Sequence, residues 1–424
     1  MHVLVTGGAG YIGSHVVRAL GRAGHSVVVL DDLSTGHREL VFQNDVPLVE
    51  GGVGEPSALR RALSIAGRVD AVVHVAGKAL APDSVRDPAP YFDTNVTSAI
   101  TMLEAMRAAR VDRIVFSSTC AVYGIPDKLP ITEDCLRRPI SPYGTSKLAF
   151  EFALEAWSRA YDLRALALRY FNVAGASEDA TLGELHEPET HLVPNLLRAA
   201  RDGRPCSIFG TDYPTRDGTA ERDYLHVEDL ADAHVKALER LDDLDLAATP
   251  ALNLGTGRGA TVREVISAAE RATGRLIETV THPRREGDPP ALVADPRRAE
   301  QLLGWKARRG LDEMVRSAWR FLHEGPQVGR AGPANGAGAG GNVLQQRVLD
   351  RHRRLRFGEL AVQAGYVSPT DVEKALEVQR QRDGVGESHK LLGLILLEMG
   401  AISNEQLIAT LRRMNDEPAR RALQ

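Results

Sequence analysis

HVLVTGGAGYIG, residues 2–13, decides the fold of this chain, because a β-branched run passes directly into closely spaced glycines and then into a helical pattern. Gly7, Gly10 and Gly13 recur at three-residue spacing. Glycine at these positions lets the backbone approach a pyrophosphate, whose charge then meets the N-terminus of the following helix. Asp31 ends the next apolar run, about 20 residues on, where a carboxylate can accept the hydroxyls of a ribose. This order of elements predicts a dinucleotide site.

Asp31 also indicates which of the two nicotinamide dinucleotides binds. Asp31 would repel a 2′-phosphate, and residues 34–37, STGH, offer no arginine to receive one. NAD is therefore expected rather than NADP. Tyr11 and Ile12, inside the glycine turn, are predicted to share in holding it.

Strand and helix patterns alternate through the first part of the chain. Further apolar strands are VDAVVHVAG, DRIVFSS and LRALALRYF. The alternation predicts an α/β fold with a doubly wound parallel sheet of the Rossmann type. From about Asn172 the pattern loosens into loops rich in Pro, Gly and Asp, which suggests a smaller substrate lobe at the carboxyl edge of the sheet. We expect a Rossmann domain at 1–171 and a substrate lobe at 172–325, from which the chain can cross back to the sheet.

The character of the sequence changes after residue 325. PQVGRAGPANGAGAGGN nearly lacks large apolar residues, so a flexible linker is expected at 326–349. Residues 350–415 contain two copies of one pattern at an offset of 35, with Gly365 matching Gly400 and Ser368 matching Ser403. Each copy indicates a helix, a glycine turn, a serine N-cap and a second helix. The copies are predicted to form a small all-α module by packing Leu360, Val367, Val372, Leu376, Leu394, Ile402, Leu407 and Leu411 together.

Bulk composition excludes several classes of protein. A net charge of -4 argues against a general nucleic-acid binder. The three cysteines, Cys120, Cys135 and Cys206, share no metal-ligand spacing, so neither a metal site nor a disulfide framework is expected. No apolar run approaches the length of a membrane span. We expect a cytoplasmic protein without membrane contact.

SPYGTSK, residues 141–147, places Tyr143 and Lys147 one helical turn apart on the same face. A tyrosine is a poor base at neutral pH, since its ordinary pKa is near 10. A lysine ammonium nearby, together with the positive nicotinamide ring, is predicted to lower that pKa toward the working range. Thr119, at the end of the preceding strand, can donate a hydrogen bond to the same substrate oxygen. These three residues are the predicted catalytic set.

Several motifs carry a family resemblance: GGAGYIGSH, FSSTCAVYG, SPYGTSK, LRYFNVAGA, FGTDYPTRDGTAERDYLHVEDLADAH, NLGTG and RREGDPP. In this order they resemble the UDP-glucose 4-epimerases, which belong to the extended short-chain dehydrogenase/reductase family. The likeness covers about residues 1–323. It implies a tightly held NAD that takes a hydride from C4 of a UDP-hexose. The 4-keto sugar then turns over and receives the hydride on its opposite face. A homodimer is also implied.

The resemblance assigns roles residue by residue. Tyr143 is implied as base and acid, Lys147 as its electrostatic partner and Thr119 as hydroxyl donor. Asn95 and Ser117 are expected beside the cofactor. The substrate residues implied are Asn172, Leu192, Phe209 beside uracil, Arg222 and Arg285 on the diphosphate, and Asp288 on the uridine ribose, roles that suit guanidinium and carboxylate groups.

SSTCAVYG, residues 117–124, indicates whether the site can eliminate water from its substrate. Related sugar-nucleotide dehydratases place an acid and a base directly after the Ser/Thr, because they eliminate water. This chain has Cys120 and Ala121 there. These positions allow oxidation and re-reduction but supply no elimination.

Three departures from the family pattern leave alternatives open. Gly52 stands where an aspartate usually contacts adenine, and Lys78 stands one position before the lysine of some relatives. Leu292 replaces a tyrosine that some members have in the sugar pocket, so it either admits an N-acetyl group or fills the space. The alternatives are a 4-epimerase of UDP-pentoses, UDP-uronates or UDP-N-acetylhexosamines, and a catalytically silent sensor of NAD or UDP-sugar.

The carboxyl-terminal module has a weaker resemblance of its own. Its first copy is similar to a tandem motif in the amino-terminal domain of type II secretion and type IV pilus ATPases, with Arg356, Gly358, Gly365 and Gln379 in register. Some of those domains bind cyclic di-GMP. In the second copy Leu391 and Met414 replace the arginine and the glutamine. Docking to a protein partner is therefore favoured over binding of a cyclic di-nucleotide.

Overall fold

The computed structural model describes residues 1–65, 68–247, 250–285, 287–326, 360–384, 392–403, 406, 409 and 410. The chain divides into two compact units, Met1–Arg330 and Ala331–Gln424. Most of the predicted linker lies outside the described residues. So do Arg356, Gly358, Leu391, Leu407, Leu411, Met414 and the side chains of Gln379 and Leu394.

The first unit alternates strands and helices. The strands are β1 (His2–Thr6), β2 (Ser26–Asp31), β3 (Leu48–Glu50), β4 (Ala71–His74), β5 (Arg113–Thr119), β6 (Arg164–Tyr170), β7 (Asn172–Ala174), β8 (Cys206–Phe209), β9 (Glu221–His226), β10 (Ala251–Leu254), β11 (Gly259–Thr261), β12 (Thr279–His282) and β13 (Ala291–Leu292). The helices are α1 (Tyr11–Arg22), α2 (Arg38–Phe42), α3 (Pro56–Ser64), α4 (Ala81–Arg86), α5 (Ala89–Phe92), α6 (Ala99–Ala108), α7 (Pro142–Tyr161), α8 (Leu192–Asp202), α9 (Val227–Arg240), α10 (Val262–Thr273), α11 (Arg297–Leu303) and α12 (Leu311–Glu324). A π-helix (Asp93–Ser98) precedes α6, and a 3₁₀-helix (Cys120–Tyr123) follows β5.

Seven strands form one sheet in the order β10-β6-β5-β4-β1-β2-β3, and every neighbouring pair in it is parallel. Its central strands are apolar and buried on both faces, as the continuous hydrophobic runs predict. One face packs on α1 and α9, and the other packs on α3, α6 and α7. The predicted doubly wound α/β fold is confirmed.

The remaining elements build a smaller lobe on the same unit. Strand β9 pairs with β7, β11 and β13, and β8 pairs with β12. Helices α8, α10 and α12 bury their apolar sides together beneath these strands. Three elements within the range predicted for this lobe, α9, β10 and α11, instead complete the first sheet and the helices packed on it. They do so because the buried run ALNL of β10 pairs with β6, and α9 covers α1.

Among its described residues, the second unit includes the helices Pro369–Gly384 and Leu392–Glu398. Val367 and Ile402 are buried in one apolar cluster, with Val372 and Leu376 packed against it, as the repeat predicted. The predicted glycine turns are present, since Gly365 and Gly400 have φ of 70° and 68°. The Ser368 Oγ accepts from the Asp371 amide and the Ser403 Oγ from the Gln406 amide, each at 3.2 Å, which confirms both serine caps.

Across the described ranges of the chain, no helix is both long enough and apolar enough to cross a bilayer.

Candidate active site

The glycine turn joins β1 to α1 in a conformation that only glycine tolerates at two positions. Gly7 has a φ of +73°, and a Cβ added there would lie 2.6 Å from the Ala76 amide nitrogen. A Cβ on Gly13 would lie 1.9 Å from the Gly7 carbonyl oxygen. Gly10 is the N-cap of α1, and no side chain caps this helix end. The first backbone N–H groups of α1 are therefore available to a pyrophosphate, which fits the predicted cofactor.

Asp31 lies at the end of β2, beside the glycine turn. Its Oδ2 accepts from the Ala9 amide at 2.9 Å and its Oδ1 from the Leu33 amide at 2.8 Å. Burial raises the pKa of this carboxyl above its ordinary value. Each oxygen keeps a second lone pair, so the ionised group can still accept from ribose hydroxyls.

The Tyr11 side chain forms a hydrogen bond within the protein. Its hydroxyl donates to the Gly175 carbonyl at 2.6 Å, and burial raises its pKa well above the ordinary value. The side chain thus ties the start of α1 to the segment after β7. The backbone N–H groups of Tyr11 and Ile12, at the uncapped start of α1, are available to a cofactor.

The end of β5 and the first turns of α7 bring the predicted catalytic residues into the same part of the unit. Ser141 caps α7, because its Oγ accepts from the Gly144 amide at 3.2 Å. Tyr143, Lys147 and Thr119 are 8%, 4% and 6% exposed. The Lys147 Nζ donates to the Ser117 carbonyl at 3.1 Å, which fixes the ammonium against the last residues of β5.

Burial dominates the protonation of both α7 side chains. It raises the pKa of Tyr143, an effect increased by Tyr170 and opposed by a hydrogen bond with Thr119. It lowers the pKa of Lys147 to about 8. The sequence predicted a lowered phenol pKa from Lys147 and the nicotinamide ring together. In the protein alone this pKa is instead raised, with burial as the largest cause, because burial removes a phenolate from water.

Asn95 lies 2% exposed in the π-helix, a distortion often found at functional sites. Its Oδ1 accepts from the Lys78 amide at 2.9 Å, and its Nδ2 donates to the Lys78 carbonyl and to the Ser146 Oγ, each at 3.0 Å. Ser146 in turn donates to the Tyr143 carbonyl at 2.8 Å. Asn95 therefore links the segment after β4 to the catalytic helix.

Two serines that support Tyr143 were missed in the sequence. Ser146 is one, and Ser84 is the other, since its Oγ accepts from the Tyr143 amide at 3.0 Å. No signal in the sequence distinguished them, because neither spacing nor charge marks a serine that bonds to a distant backbone group. Lys78 takes part through its backbone.

The serines of β5 have separate partners. The Ser117 Oγ lies 2.8 Å from the His234 Nε2. The Ser118 Oγ donates to the Glu151 Oε1 at 2.6 Å. Glu151 forms an ion pair with Arg169 at 2.7 Å, and both side chains are 3% exposed. Ser118 thus belongs to a buried polar network behind the strand.

The predicted substrate residues of the lobe bind one another. Arg222 forms an ion pair with Asp288. The Arg285 guanidinium lies 4.1 Å from the centroid of the Phe209 ring, which also stacks on His282. Asn172 is exposed in β7, and Leu192 begins α8 half-buried against the lobe core.

The positions that depart from the family pattern have defined surroundings. The Gly52 amide donates to the Glu55 Oε1 at 3.1 Å. Leu292 is 8% exposed and packs in an apolar cluster that includes Cys120 and Phe171. Burial raises the pKa of the Cys120 thiol to about 12, so it is neutral at physiological pH. Neither Cys120 nor Ala121 provides an acid or a base for elimination.

Comparisons with known proteins agree with this geometry. Residues 3–255 match the model of the NAD dependent epimerase/dehydratase family. The UDP-glucose 4-epimerase of Lactobacillus helveticus is 46% identical over 330 residues, which is 77% of this chain and 98% of that protein. The UDP-glucose 4-epimerase of Azospirillum brasilense is 47% identical over 338 residues, covering 79% of this chain and 96% of that protein.

Solved structures give the same result. A UDP-glucose 4-epimerase from Brucella ovis, in complex with NAD, superimposes with a TM-score of 0.71 at 44% identity. The match covers 76% of this chain and 98% of that one. A family match over more than half of the chain, with relatives covered almost completely, places the first unit without ambiguity. The chain belongs to the NAD dependent epimerase/dehydratase family, among its UDP-glucose 4-epimerases.

Proposed function

We propose that this protein interconverts UDP-glucose and UDP-galactose by inverting C4 of the hexose, with NAD bound at the glycine turn. It is an NAD-dependent epimerase. The observation that carries the proposal is the convergence of the buried Tyr143, Lys147 and Thr119 at the end of β5, on a fold whose glycine turn fits a dinucleotide.

Tyr143 is assigned the proton transfer at the C4 hydroxyl. Bound NAD supplies a hydride acceptor and donor and a positively charged ring. Tyr143 removes the hydroxyl proton as the hydride leaves C4, and it returns the proton after the sugar has turned over. Thr119 donates a hydrogen bond to the same oxygen. Lys147, fixed on the Ser117 carbonyl, stabilises the phenolate by its charge.

The nucleotide is assigned to the lobe. Arg222 and Arg285 are placed on the diphosphate, Phe209 beside uracil and Asp288 on the ribose, with Asn172 and Leu192 completing the sugar-nucleotide site. Because Arg222 forms an ion pair with Asp288 in the protein alone, a bound diphosphate would compete with Asp288 for the guanidinium. The charges needed for a UDP group are thus already close together.

Activity without added cofactor tests the proposal. Purified protein should convert UDP-galactose to UDP-glucose, because the NAD stays bound through the cycle. No conversion even with NAD supplied would contradict the epimerase assignment. If, in addition, no sugar nucleotide changes the absorbance near the NADH band, the silent-sensor alternative is favoured.

The choice of sugar depends on Leu292. Its packing against Cys120 and Phe171 supports the reading that leucine fills the space, so hexoses without an N-acetyl group are the expected substrates. Comparing kcat/KM for UDP-galactose with that for UDP-N-acetylgalactosamine, a UDP-pentose and a UDP-uronate tests this. A higher value for any of the other sugars would assign the chain to that sugar.

A homodimer through the helices that flank Tyr143 is part of the proposal. Phe152 and Tyr161 on α7 are each 49% exposed, and Phe92 on α5 is 39% exposed. Arg137 and Arg107 cover one face of the Phe152 and Tyr161 rings. Light scattering should give twice the chain mass, and Phe152→Asp should give monomers. A monomeric wild-type protein would contradict the dimer.

The second unit is assigned a docking role that catalysis does not require. Its described helices and the residues that flank them share an apolar cluster, which includes Val367, Ala375, Leu392 and Ile402. Truncation after Gly325 should therefore leave kcat and KM within about twofold of the full chain, within the usual range for surface changes. An inactive truncation would contradict this. Titration of the full chain with cyclic di-GMP decides between docking and nucleotide binding, with Arg356→Ala as the control variant.

A further inference from the structure

The loop before α8 collects four potential metal ligands. Glu184, His186, Glu189 and His191 lie in the short pattern E-x-H-x-x-E-x-H. One donor atom from each lies within 4.8 Å of the donor atoms of the other three. The cysteine spacing that argued against a metal site does not bear on this cluster, because its donors are imidazole and carboxylate groups.

The spacing of the donors suits a tetrahedral ion. The His186 Nδ1 lies 2.9 Å from the Glu184 Oε1, and the His191 Nδ1 contacts the same oxygen. The His191 Nδ1 is 4.0 Å from the Glu189 Oε1. Ligands bound to zinc at about 2.05 Å in a tetrahedron are about 3.3 Å apart, which falls between these two distances. Small side-chain shifts would bring the four donors to one centre.

Glu189 provides an independent observation. Its side chain is only 1% exposed, and within the described part of the chain its Oε2 has no hydrogen-bond partner. The other oxygen accepts from the amides of Thr190 and His191 at 2.9 and 3.0 Å. The Arg198 guanidinium forms an ion pair with Oε2 at 3.7 Å, which is too far for a hydrogen bond. A buried carboxylate oxygen without a hydrogen bond is costly, and a metal ion bound directly to it would offset that cost.

We propose that Glu184, His186, Glu189 and His191 form a binding site for one divalent transition-metal ion, with zinc as the best match. Two carboxylates balance the charge of the ion, and two neutral imidazoles complete a four-coordinate set. Calcium and magnesium are disfavoured, since they prefer oxygen ligands and higher coordination numbers. With all four ligands supplied by the protein, the site is closed and therefore structural.

The position of the loop shows what such an ion would stabilise. The His37 Nε2 lies 2.8 Å from the Leu185 carbonyl, and the Tyr11 hydroxyl donates to Gly175 at the start of the same segment. His191 is the N-cap residue of α8, whose first residue is Leu192. A bound ion would thus hold together the connection between the glycine turn and a helix of the substrate lobe.

Metal content and thermal stability test the proposal on the full chain without an affinity tag. After treatment with a chelator and dialysis, incubation with zinc should give about one ion per chain by mass spectrometry and raise Tm by several degrees. Glu189→Gln and His191→Gln should lose both effects. His25→Gln is the matched control, since His25 faces a single carboxylate, that of Glu239, and should bind zinc as the wild type does.

Cobalt gives a readout that does not depend on the stability of the variants. Wild-type protein loaded with Co²⁺ should show the intense visible absorption of a tetrahedral site, and zinc should abolish it. Wild-type protein that retains no zinc after dialysis would overturn the proposal. So would equal zinc content in the wild type and both ligand variants, or a weak octahedral cobalt spectrum.

Discussion

The two groups of predicted site residues differ in how the fold holds them. Tyr143, Lys147 and Thr119 are at most 8% exposed, at the end of β5 and on α7. Arg222, in contrast, forms an ion pair with Asp288 on the lobe. In the proposed function the first group is fixed before substrate arrives, whereas the second would exchange partners when a diphosphate enters. Losses in the first group should therefore appear in kcat, and losses in the second in KM.

The strongest test of the fixed group is Tyr143→Phe. Removing the hydroxyl takes away the proton acceptor and should lower kcat by about 10³-fold, within the range for general acid–base catalysis. Tyr161→Phe, which removes a half-exposed hydroxyl from the same helix, is the control and should keep full activity. Circular dichroism should be the same for both variants. A Tyr143→Phe enzyme with more than a tenth of the wild-type kcat would exclude Tyr143 as the proton acceptor.

Lys147 tests how much the burial of an ammonium group lowers the free energy of unfolding. Its pKa is about 8 in the folded protein against an ordinary 10.5, so between these values the unfolded chain binds more protons than the folded one. The free energy of unfolding should therefore rise as pH increases from 8 to 10.5, by up to about 3 kcal/mol from this group.

The measurement is urea unfolding of the wild type and Lys147→Met at several pH values. The difference between the two proteins isolates the lysine, because other groups titrate in both. Lys128→Met, at an exposed lysine, should follow the wild type. Parallel curves for wild type and Lys147→Met would show that burial does not perturb this ammonium.

Arg222→Ala tests the exchanging group. Losing a charge-assisted hydrogen bond to the diphosphate should raise KM for UDP-galactose about 10- to 100-fold and leave kcat nearly unchanged. Arg60→Ala, at an exposed arginine, is the control. Should kcat fall and KM stay constant, Arg222 would belong with the fixed residues, and the comparison would fail.

Phe209→Leu should give the smallest effect. Leucine keeps an apolar surface but loses the aromatic face, so KM should rise about three- to tenfold, near the lower range of base stacking energies. Competition by free UMP separates this contact from the diphosphate, because UMP carries the base with a single phosphate. Unchanged UMP inhibition in Phe209→Leu would remove Phe209 from the uracil site.

The sequence predicted the sheet and the catalytic set because both depend on local patterns. Continuous apolar runs specify buried parallel strands, and helical spacing alone places Tyr143 and Lys147 on one face. The glycine turn could also be predicted from the sequence, because there is no room for a Cβ at Gly7 or at Gly13.

What the sequence did not predict depends on contacts between distant segments. The bonds of Asn95 to Lys78 and Ser146 join positions 17 and 51 residues apart. The sequence indicated that the chain can cross back to the sheet but did not identify the strand, because the short run ALNL does not show that β10 pairs with β6. Burial raises the pKa of Tyr143 in the protein alone, and the extent of burial cannot be predicted from residue spacing.

The pairing of β10 with β6 has a consequence for any attempt to separate the nucleotide-binding half. A fragment ending at residue 171 would keep the glycine turn and the catalytic helix but lack residues 251–254. Strand β6 would then expose a row of unpaired amides and carbonyls along an apolar strand, which is a template for joining another copy edge to edge. The first part of the substrate lobe, from β7 to β9, is in this sense an insertion before the last strand of the sheet, and β6 gains its outer neighbour only when the chain has passed through that part and returned.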